Sequence, residues 1–389
     1  MYRIKKMKTI LHSLSSLNLA LFSLLGLLFL TVVGTFDQVN LGIYYAQKKY
    51  FESLFITIPL TETIRIPIFL GAAGFGLLLV INISAVIVTR QLMKPAKIGL
   101  FLVHVGIIVL LIGGGLTSKL ATETQLIIEE GETKSYTQDM RYNELIVSKK
   151  VSHDEVQTVS FPVKSVKEGD VLSQKELPFD LKIQKWTENA GLTFVSVEEN
   201  ESAFPIPSKG SAQHVQVLPK PIAVKDTIIN FNTALVAVHD KKSNALIGTF
   251  LVSRGIDNAQ KLKWGNETFY LQIRPKRYYT AYQLTLKEFS HDLYPGTNKP
   301  KNFSSLLSLY DPESDLSRDV LIYMNHPLRY KGKTYYQASF GKNDTLSVLQ
   351  VVENPSWLLP YISSLIITLG LLIHFAQTVG RRRKGALNA

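Results

Sequence analysis

Four long apolar stretches constrain the fold of this chain more than any other feature. They run over Leu17–Val33, Pro67–Val88, Ile98–Leu116 and Trp357–Val379. Each stretch is about long enough to cross a hydrocarbon core of ~30 Å as a helix. The sequence therefore predicts an integral membrane protein with four α-helical spans.

The basic residues outside these stretches predict an orientation. Three segments, residues 1–18, 89–97 and 380–389, hold eleven lysines and arginines and no acidic residue. Lys and Arg collect on the cytoplasmic side of spanning helices. We therefore expect both termini and the middle loop to be cytoplasmic and residues 117–356 to form one large extracytoplasmic domain.

The position of the charges argues against nucleic-acid binding. The formal net charge is +12, but residues 117–356 carry 29 basic and 28 acidic side chains. A nucleic-acid surface needs its basic patch on the soluble domain. Because almost all of the excess lies in the three basic segments, the topology of the spans explains the charge, and we predict no nucleic-acid partner.

The chain contains no cysteine. This excludes disulfides, thiolate metal sites and thiol–disulfide chemistry, and it also excludes a c-type haem attachment segment of the Cys-x-x-Cys-His type. No hydrolase elbow, phosphate-binding glycine loop or His-Glu-x-x-His motif is present either. The sequence thus predicts no catalytic residues of the chain's own.

The large domain reads as β-structure. Twelve short segments rich in β-branched and aromatic residues, from 124–130 to 345–353, are separated by turn sequences such as Glu130-Gly131 and Lys331-Gly332. An antiparallel sandwich or an open barrel fits this pattern. The predicted organisation is a membrane part over 1–116, the β domain over 117–356, and a fourth span with a basic tail over 357–389.

A short outer loop, 35–66, joins the first two predicted spans. Within it, apolar and aromatic residues recur every three or four positions from Asn40 to Ile58, which predicts an amphipathic helix. This helix either lies on the membrane lipid interface or packs under the outer domain.

Two histidines lie within the apolar stretches. His104 is the single ionisable residue of the third stretch, and His374 lies in the fourth at a similar depth from the cytoplasmic end. An ionisable side chain in the membrane usually has a partner or a function. The two imidazoles are candidates to ligate one haem iron. Alternatively, His104 makes a structural hydrogen bond and His374 reaches the interface near Arg381.

Three stretches carry a family resemblance. They are DVLIYMNHPLRYKGKTYYQASFG (319–341), LTLKEFSHDLYPGTNKPKNFSSLLSL (284–309) and VVENPSWLLPYISSLIITLGLL (351–372). Together with GTFDQ (34–38), AQKKYFES (46–53) and the order of spans, they resemble the ResB family, also called CcsB, of system II cytochrome c maturation. His326, in the most specific of these segments, either fixes a turn or contacts haem or a partner.

The resemblance implies a function. Members of this family work with a partner membrane protein, CcsA (ResC), to carry haem across the bacterial cytoplasmic membrane and to join it to apocytochrome c. One transmembrane haem ligand of the fused forms is a histidine of the third span, and His104 is the matching position. The opposing ligand and the Trp-rich haem-handling segment belong to CcsA, and this chain has only three scattered tryptophans.

Two other functions remain open at this point. The chain could be a b-type electron-transfer protein that holds haem between its own His104 and His374. It could also be a haem-free extracytoplasmic scaffold. If the chain instead has the function that the family resemblance implies, it is a non-catalytic subunit of a haem lyase complex.

Overall fold

The computed structural model describes residues 9–61, 64–152, 155–194, 202–225, 228–297, 300–341 and 345–387. The basic residues of segment 1–8 lie outside the described residues, as does His153, to which the sequence assigns no role. Two compact units are present: Met1–Thr122 with Val224–Asp226 and Glu353–Ala389, and Glu123–Ala223 with Thr227–Val352. We call them the membrane unit and the β unit.

Among the described residues, the membrane unit contains four long helices: α1 (Leu17–Ala46), α2 (Ala72–Thr89), α3 (Ile98–Leu120) and α4 (Leu359–Leu387). Each is long and apolar enough to cross a membrane. The eighteen strands of the described chain are β1 (Phe55–Pro59), β2 (Arg65–Leu70), β3 (Thr122–Glu129), β4 (Thr133–Lys150), β5 (Val156–Pro162), β6 (Val171–Leu172), β7 (Phe179–Thr187), β8 (Ala190–Phe194), β9 (Val215–Pro219), β10 (Thr233–Asp240), β11 (Leu246–Ser253), β12 (Gln260–Trp264), β13 (Glu267–Leu293), β14 (Pro300–Asp311), β15 (Leu316–Tyr323), β16 (Leu328–Tyr330), β17 (Lys333–Gly341) and β18 (Leu346–Glu353). The predicted fold class, four membrane spans with a large mainly-β domain, is confirmed.

The segment between α1 and α2 differs from the predicted loop and helix. α1 continues past Val33, breaks at Gly42, where φ is 77°, and is followed by a π-helical turn over Gln47–Phe51. The chain then forms the hairpin β1–β2. The predicted helix over Asn40–Ile58 is therefore wrong beyond Phe51, because residues 55–59 pair with 65–70. Because residues 65–70 form β2, the second span begins at Ala72 and not at Pro67.

The break at Gly42 brings two sequence motifs together. The carboxylate of Asp37 accepts hydrogen bonds from Lys49 Nζ and Tyr50 Oη, both at 2.8 Å. A continuous helix would place Asp37 and Tyr50 roughly 20 Å apart. Glycine takes a positive φ at little cost, so the chain reverses at Gly42 and returns along α1. The GTFDQ and AQKKYFES motifs thus form one contact.

Both predicted β architectures occur in the β unit. In the first lobe, β6, β7, β10 and β11 form a four-stranded sheet. Its side chains share a core with β5, β12 and the adjoining halves of β4 and β13. This arrangement is a sandwich. The central strand β10 is buried along both faces, because Val236 packs into this core and Leu235 into a second one, which explains its unbroken apolar sequence.

The second lobe is a nearly closed barrel. Its strand order is β15-β14-β13-β4-β3-β18-β17-β16. The ends approach each other where Tyr323 of β15 bridges to His326. Inside, the buried Ser305 of β14 contacts Gln337 of β17 and Ser347 of β18, each at 2.7 Å. The long strands β4 and β13 run through both lobes and join them.

Candidate functional site

A glycine seam on α3 fixes how the third and fourth spans pack. Gly99, Gly106 and Gly113 are buried and recur every seven residues. A Cβ atom on Gly99 would lie 2.4 Å from the backbone nitrogen of His374, and one on Gly106 would lie 2.5 Å from Ile367. Small residues allow membrane helices to approach this closely. The seam is therefore filled by α4 and leaves no room for a flat ligand on this side of α3.

A buried hydroxyl fixes the register of the same helix pair. Ser363 Oγ of α4 donates a hydrogen bond of 2.8 Å to the carbonyl oxygen of Gly106. Gly370 repeats the close approach from the α4 side, since a Cβ there would lie 2.8 Å from the carbonyl oxygen of Gly99. Rotation of α3 about its own axis is thus restricted by backbone contacts and by one hydrogen bond.

His104 lies on the far side of α3 from this seam. At about 100° per residue, it is turned roughly 140° from Gly99 and 160° from Gly106. Its side chain is partly exposed. Because its contacts with α4 restrict the rotation of α3, His104 is directed away from α4.

The imidazole of His104 is oriented by its own helix. Nδ1 lies 2.7 Å from the carbonyl oxygen of Leu100. A carbonyl oxygen only accepts, so Nδ1 carries the proton of this bond, which leaves Nε2 as the ring nitrogen that can bind a metal. Histidine ligands of metals commonly donate their other N–H to a carbonyl in this manner. His104 thus makes the expected structural hydrogen bond and also fits the role of an axial ligand through Nε2.

The structure does not bring His104 and His374 together. The His374 backbone packs against Gly99, five residues before His104, which is about 7.5 Å along the helix. The predicted common depth is therefore wrong. Because His104 also points away from α4, the two imidazoles do not face each other, as ligands of one iron must. The His374 side chain is exposed at the end of the span.

Two cationic side chains beside the α2–α3 loop donate hydrogen bonds to backbone carbonyl groups. Lys97 Nζ donates to the carbonyl oxygen of Arg90 at 2.7 Å, and Arg381 donates to that of Ala96. Gln377 Nε2 reaches the carbonyl oxygen of Pro95 at 3.0 Å. The bonds of Arg381 and Gln377 connect the α2–α3 loop to α4. Lys94 is exposed beside them.

His326 stabilises a turn in the β unit. Its ring stacks on Tyr323 with centroids 4.1 Å apart and planes 13° apart. The backbone N–H of His326 donates to the Tyr323 carbonyl oxygen at 2.9 Å, and Asn325 between them has φ of 64°. Asn tolerates this left-handed conformation better than most residues. The geometry matches the structural role, and the ring remains exposed.

Two residues of the segment 319–341 also form a charged lock with Asp311, which sequence reasoning missed. Lys331 Nζ lies 2.7 Å from a carboxylate oxygen of the fully buried Asp311, which also accepts from the Tyr330 hydroxyl. Lys331 and Tyr330 hold the pKa of Asp311 well below its usual range, and Asp311 in turn raises the pKa of Lys331. The lock holds the β16–β17 turn, where Lys331 and Gly332 both have positive φ.

A shallow cleft of about 270 Å³ lies in the β unit beside Trp264, lined by Lys149, Lys175, Glu267 and Phe269 among others. Its opposed charges lie in contact with each other, since Lys149 pairs with Glu267. Within the described ranges, no group of three or more His, Asp or Glu side chains is arranged to hold a metal ion. The membrane unit around His104 is thus the better candidate site.

Comparison with known proteins points to one family. Residues 246–355, which hold the turn and lock described above, match the ResB-like family. Protein NrfI of Wolinella succinogenes is 23% identical over 306 residues, which cover 78% of this chain and 30% of NrfI. Cytochrome c biogenesis protein Ccs1 of Heterosigma akashiwo is 30% identical over 135 residues, or 31% of this chain and 32% of Ccs1.

The chain spans about a third of the length of these curated relatives. The family match lies within the strands from β11 to β18, and the NrfI match covers most of the chain. The order of the four apolar spans and the segment 319–341, which closes the barrel, are among the features that first suggested the family. The family match over residues 246–355 and the two relatives confirm the resemblance of this chain to the ResB family.

Proposed function

We propose that this protein is a subunit of a cytochrome c maturation complex. In this role it works with a CcsA-type membrane protein to carry haem across the membrane and to support its attachment to apocytochrome c. Two observations support the proposal: the family match and the name of the relative Ccs1, a cytochrome c biogenesis protein. The haem is cargo, and the chain holds it only in passing.

The orientation of His104 is the observation that carries the proposal. A partly exposed imidazole on an apolar span offers Nε2 to a group outside the α3–α4 pair, while its Nδ1–H is committed to Leu100. Neutral imidazole is a common axial ligand of haem iron. A porphyrin in an apolar membrane groove would let His104 bind the iron while apolar side chains contact the ring.

The second axial ligand is expected from the partner. The position of His374 against Gly99 and the direction of His104 argue against His374 as this ligand. Within the described part of the chain, no other histidine lies in an apolar span. The site is therefore half of a shared site, which gives the two proteins a reason to assemble and allows haem to leave when the partner moves.

Each part of the membrane unit then has a defined task. Leu100 sets the tautomer of His104, the glycine seam with Ser363 fixes its direction, and the exposed Lys94 is a candidate contact for the haem propionates at the cytoplasmic end. The β domain is expected on the extracytoplasmic side, where apocytochrome c is handled. The chain contributes binding and orientation, and the lyase chemistry belongs to the complex.

A spectrum of the purified complex tests this function. The chain is co-expressed with its CcsA-type partner and purified, and the Soret absorbance per complex is measured for wild type, His104→Ala, His374→Ala and His326→Ala. We expect His104→Ala to lose most of the Soret band, because the iron loses an axial ligand. The other two variants serve as matched controls and should retain it.

Two results would contradict the proposal. Equal loss with His104→Ala and His374→Ala, in protein purified without a partner, would establish an intrachain pair and an electron-transfer protein. A wild-type complex without any Soret band would leave the haem-free scaffold as the function.

A further inference from the structure

Strand β5 forms an open edge of the β unit. It pairs with β4 in an unbroken register, from Val156 opposite Lys150 to Pro162 opposite Glu144. Among the described strands, β4 is its only partner. An edge strand presents a row of backbone N–H and C=O groups that can pair with another chain, and proteins normally protect such an edge. An unprotected edge is therefore a candidate binding site.

One hydrogen bond next to β5 shows which of its backbone groups face outward. The N–H of Val151 donates to the carbonyl oxygen of Glu155, which lies directly opposite in the same register, at 2.9 Å. Hydrogen-bonded and non-hydrogen-bonded pairs alternate along an antiparallel ladder. Every second residue after Glu155 therefore bonds to β4. The residues between them direct their N–H and C=O groups away from β4, and these residues are Val156, Thr158 and Ser160.

The described residues of β5 carry none of the features that usually protect an edge. Residues 156–161 include no charged side chain and no proline, and the register with β4 has no bulge. Charges, prolines and bulges are common means of protection. Within the described chain, the outward N–H and C=O groups of Val156, Thr158 and Ser160 have no hydrogen-bond partner. The edge is thus regular in geometry and open to a further strand.

Two other edges of the β unit are covered by loops. At β11, the N–H of Lys209 donates to the carbonyl oxygen of Thr249 at 3.1 Å. At β9, the N–H of Ala203 donates to the carbonyl oxygen of Val217 at 3.0 Å. Loop backbone therefore occupies parts of these two edges, whereas none of the described loops does so at β5.

The cleft beside Trp264 lies next to the open edge. Gln157 of β5 lines this cleft, and so does Lys149, which stands directly opposite Gln157 in β4. Val159, two residues further on, shares this face and packs against the core of the first lobe. A strand added beside β5 would place one of its side chains next to Gln157, at the cleft. Main-chain bonds together with a pocket for a side chain are the two components of recognition by strand addition.

A second copy of this chain fits the edge less well than an unfolded polypeptide does. Two-fold pairing along the full length of β5 would place Phe161 of a second copy beside Gln157. Phe161 is only 7% exposed and packs in its own core, so the cleft would stay empty. An unfolded chain has no packed side chains, and its backbone donors and acceptors are available to pair with the edge.

We propose that the open edge of β5 binds an extended segment of unfolded polypeptide by strand addition, with one of its side chains in the cleft. This inference rests on the proposed function, under which the polypeptide is apocytochrome c before haem attachment. Main-chain hydrogen bonds tolerate differences in sequence, so one edge can accept different apocytochromes. The β unit then has the task of holding the apoprotein extended.

Removal of one outward N–H tests the edge in the full-length protein in detergent. Thr158→Pro deletes such an N–H and keeps the bonds to β4, since proline is tolerated where the N–H faces away from the sheet. Thr158→Ala is the matched control, because it shortens the same side chain and keeps the N–H. Fluorescence anisotropy measures the binding of a labelled synthetic peptide that contains the Cys-x-x-Cys-His segment of an apocytochrome c. We expect Thr158→Pro to raise the Kd at least about tenfold, because a main-chain hydrogen bond is lost, and Thr158→Ala to match wild type.

A second measurement changes the peptide and leaves the protein as it is. Two versions of the peptide carry N-methyl groups on alternate backbone nitrogens. Only every second N–H of an added strand faces β5, so one version should lose binding to the wild-type protein and the other should retain it. Equal binding of the two versions overturns strand addition, as does equal binding of the unmodified peptide by Thr158→Pro and wild type.

The remaining outcomes distinguish this inference from the proposed function. Folded holocytochrome c should not compete with the peptide, and competition as strong as that of unlabelled peptide would contradict the requirement for an extended chain. Loss of self-association in Thr158→Pro with unchanged peptide binding assigns the edge to a second copy and overturns the proposal. If the wild-type complex holds haem but the chain binds no peptide, only this inference fails. If the complex shows no Soret band, the proposed function fails.

Discussion

At the scale of single residues, the most informative group is one that no motif indicated. Asp311 is fully buried, and its carboxylate is paired with Lys331 and Tyr330 at the β16–β17 turn. The sequence places Asp311 near the end of a strand and nearly twenty residues before its partners. Only the folded positions of β14 and of the β16–β17 turn reveal the pairing, which is why spacing along the chain did not predict it.

The charge of Asp311 should stabilise the fold over a defined pH range. Because its folded pKa is depressed, its contribution is fully present above its ordinary value of 3.8 and is lost as the pH falls through the lower folded value. Lys331 has a raised pKa, so its contribution is fully present below 10.5 and is lost only above that. Asp311→Asn should therefore lower the thermal midpoint near neutral pH by roughly 2–4 °C.

Thermal unfolding of the full-length protein in detergent, followed by tryptophan fluorescence from pH 3 to pH 8, measures this effect. The difference between wild type and Asp311→Asn should shrink below about pH 4. Asp319→Asn is the matched control, because Asp319 pairs with Lys287 at 2.8 Å on the exposed surface, where ion pairs contribute little. Equal effects of the two substitutions on the thermal midpoint would show that the Asp311 pairing stabilises the fold no more than a surface ion pair does.

At the scale of elements, α3 has two kinds of glycine. Gly106 and Gly113 face α4 closely, whereas a Cβ atom on Gly114 or Gly115 meets nothing within 4 Å. Sequence alone shows five glycines in one apolar helix and does not separate those that pack from those that are open. The seven-residue spacing of the packed ones was the available signal.

Gly106→Leu should destabilise the α3–α4 pair. The added side chain would overlap Ile367 and displace the Ser363 hydrogen bond, and overpacking of this kind costs about 1–3 kcal/mol. Gly114→Leu keeps the same chemistry in open space and should be neutral or slightly stabilising, since leucine favours helices more than glycine does. The thermal midpoints of the two variants are compared in detergent. A similar decrease in both would contradict the close packing of α4 on Gly106.

Strands were easier to predict than their partners. All twelve predicted strand segments lie on observed strands, because alternating and β-branched sequences have few other stable conformations in a domain of this kind. The segments 268–274 and 282–289 prove to be one strand, β13, which continues through bulges near Pro275 and between Tyr279 and Leu284. The residues between these two segments were not predicted as strand, and tertiary pairing with β4 keeps most of them extended.

At the scale of the whole molecule, the fold class followed from hydropathy, since apolar stretches of this length have few alternatives. The hairpin β1–β2 was missed for a related reason. Its residues are as apolar as a span, and only the pairing of Thr57 with Pro67 and Ile58 with Ile66 separates it from the helix that follows. The direction of His104 likewise needed α4, which lies more than 250 residues later in the chain.

The orientation of the whole chain in the membrane is the last prediction. Arg90, Lys94 and Lys97 in the α2–α3 loop have no acidic neighbour between them, so the positive-inside rule places this loop in the cytoplasm. The β unit then lies on the opposite side, because α3 crosses once between the two. In spheroplasts, a membrane-impermeant maleimide should label Lys263→Cys and leave Met93→Cys unlabelled until the membrane is opened. Both positions are exposed, and the cysteine-free parent gives no background. If Met93→Cys is labelled before the membrane is opened, the orientation is opposite to the predicted one. His104 would then lie near the wrong end of the path that haem must follow.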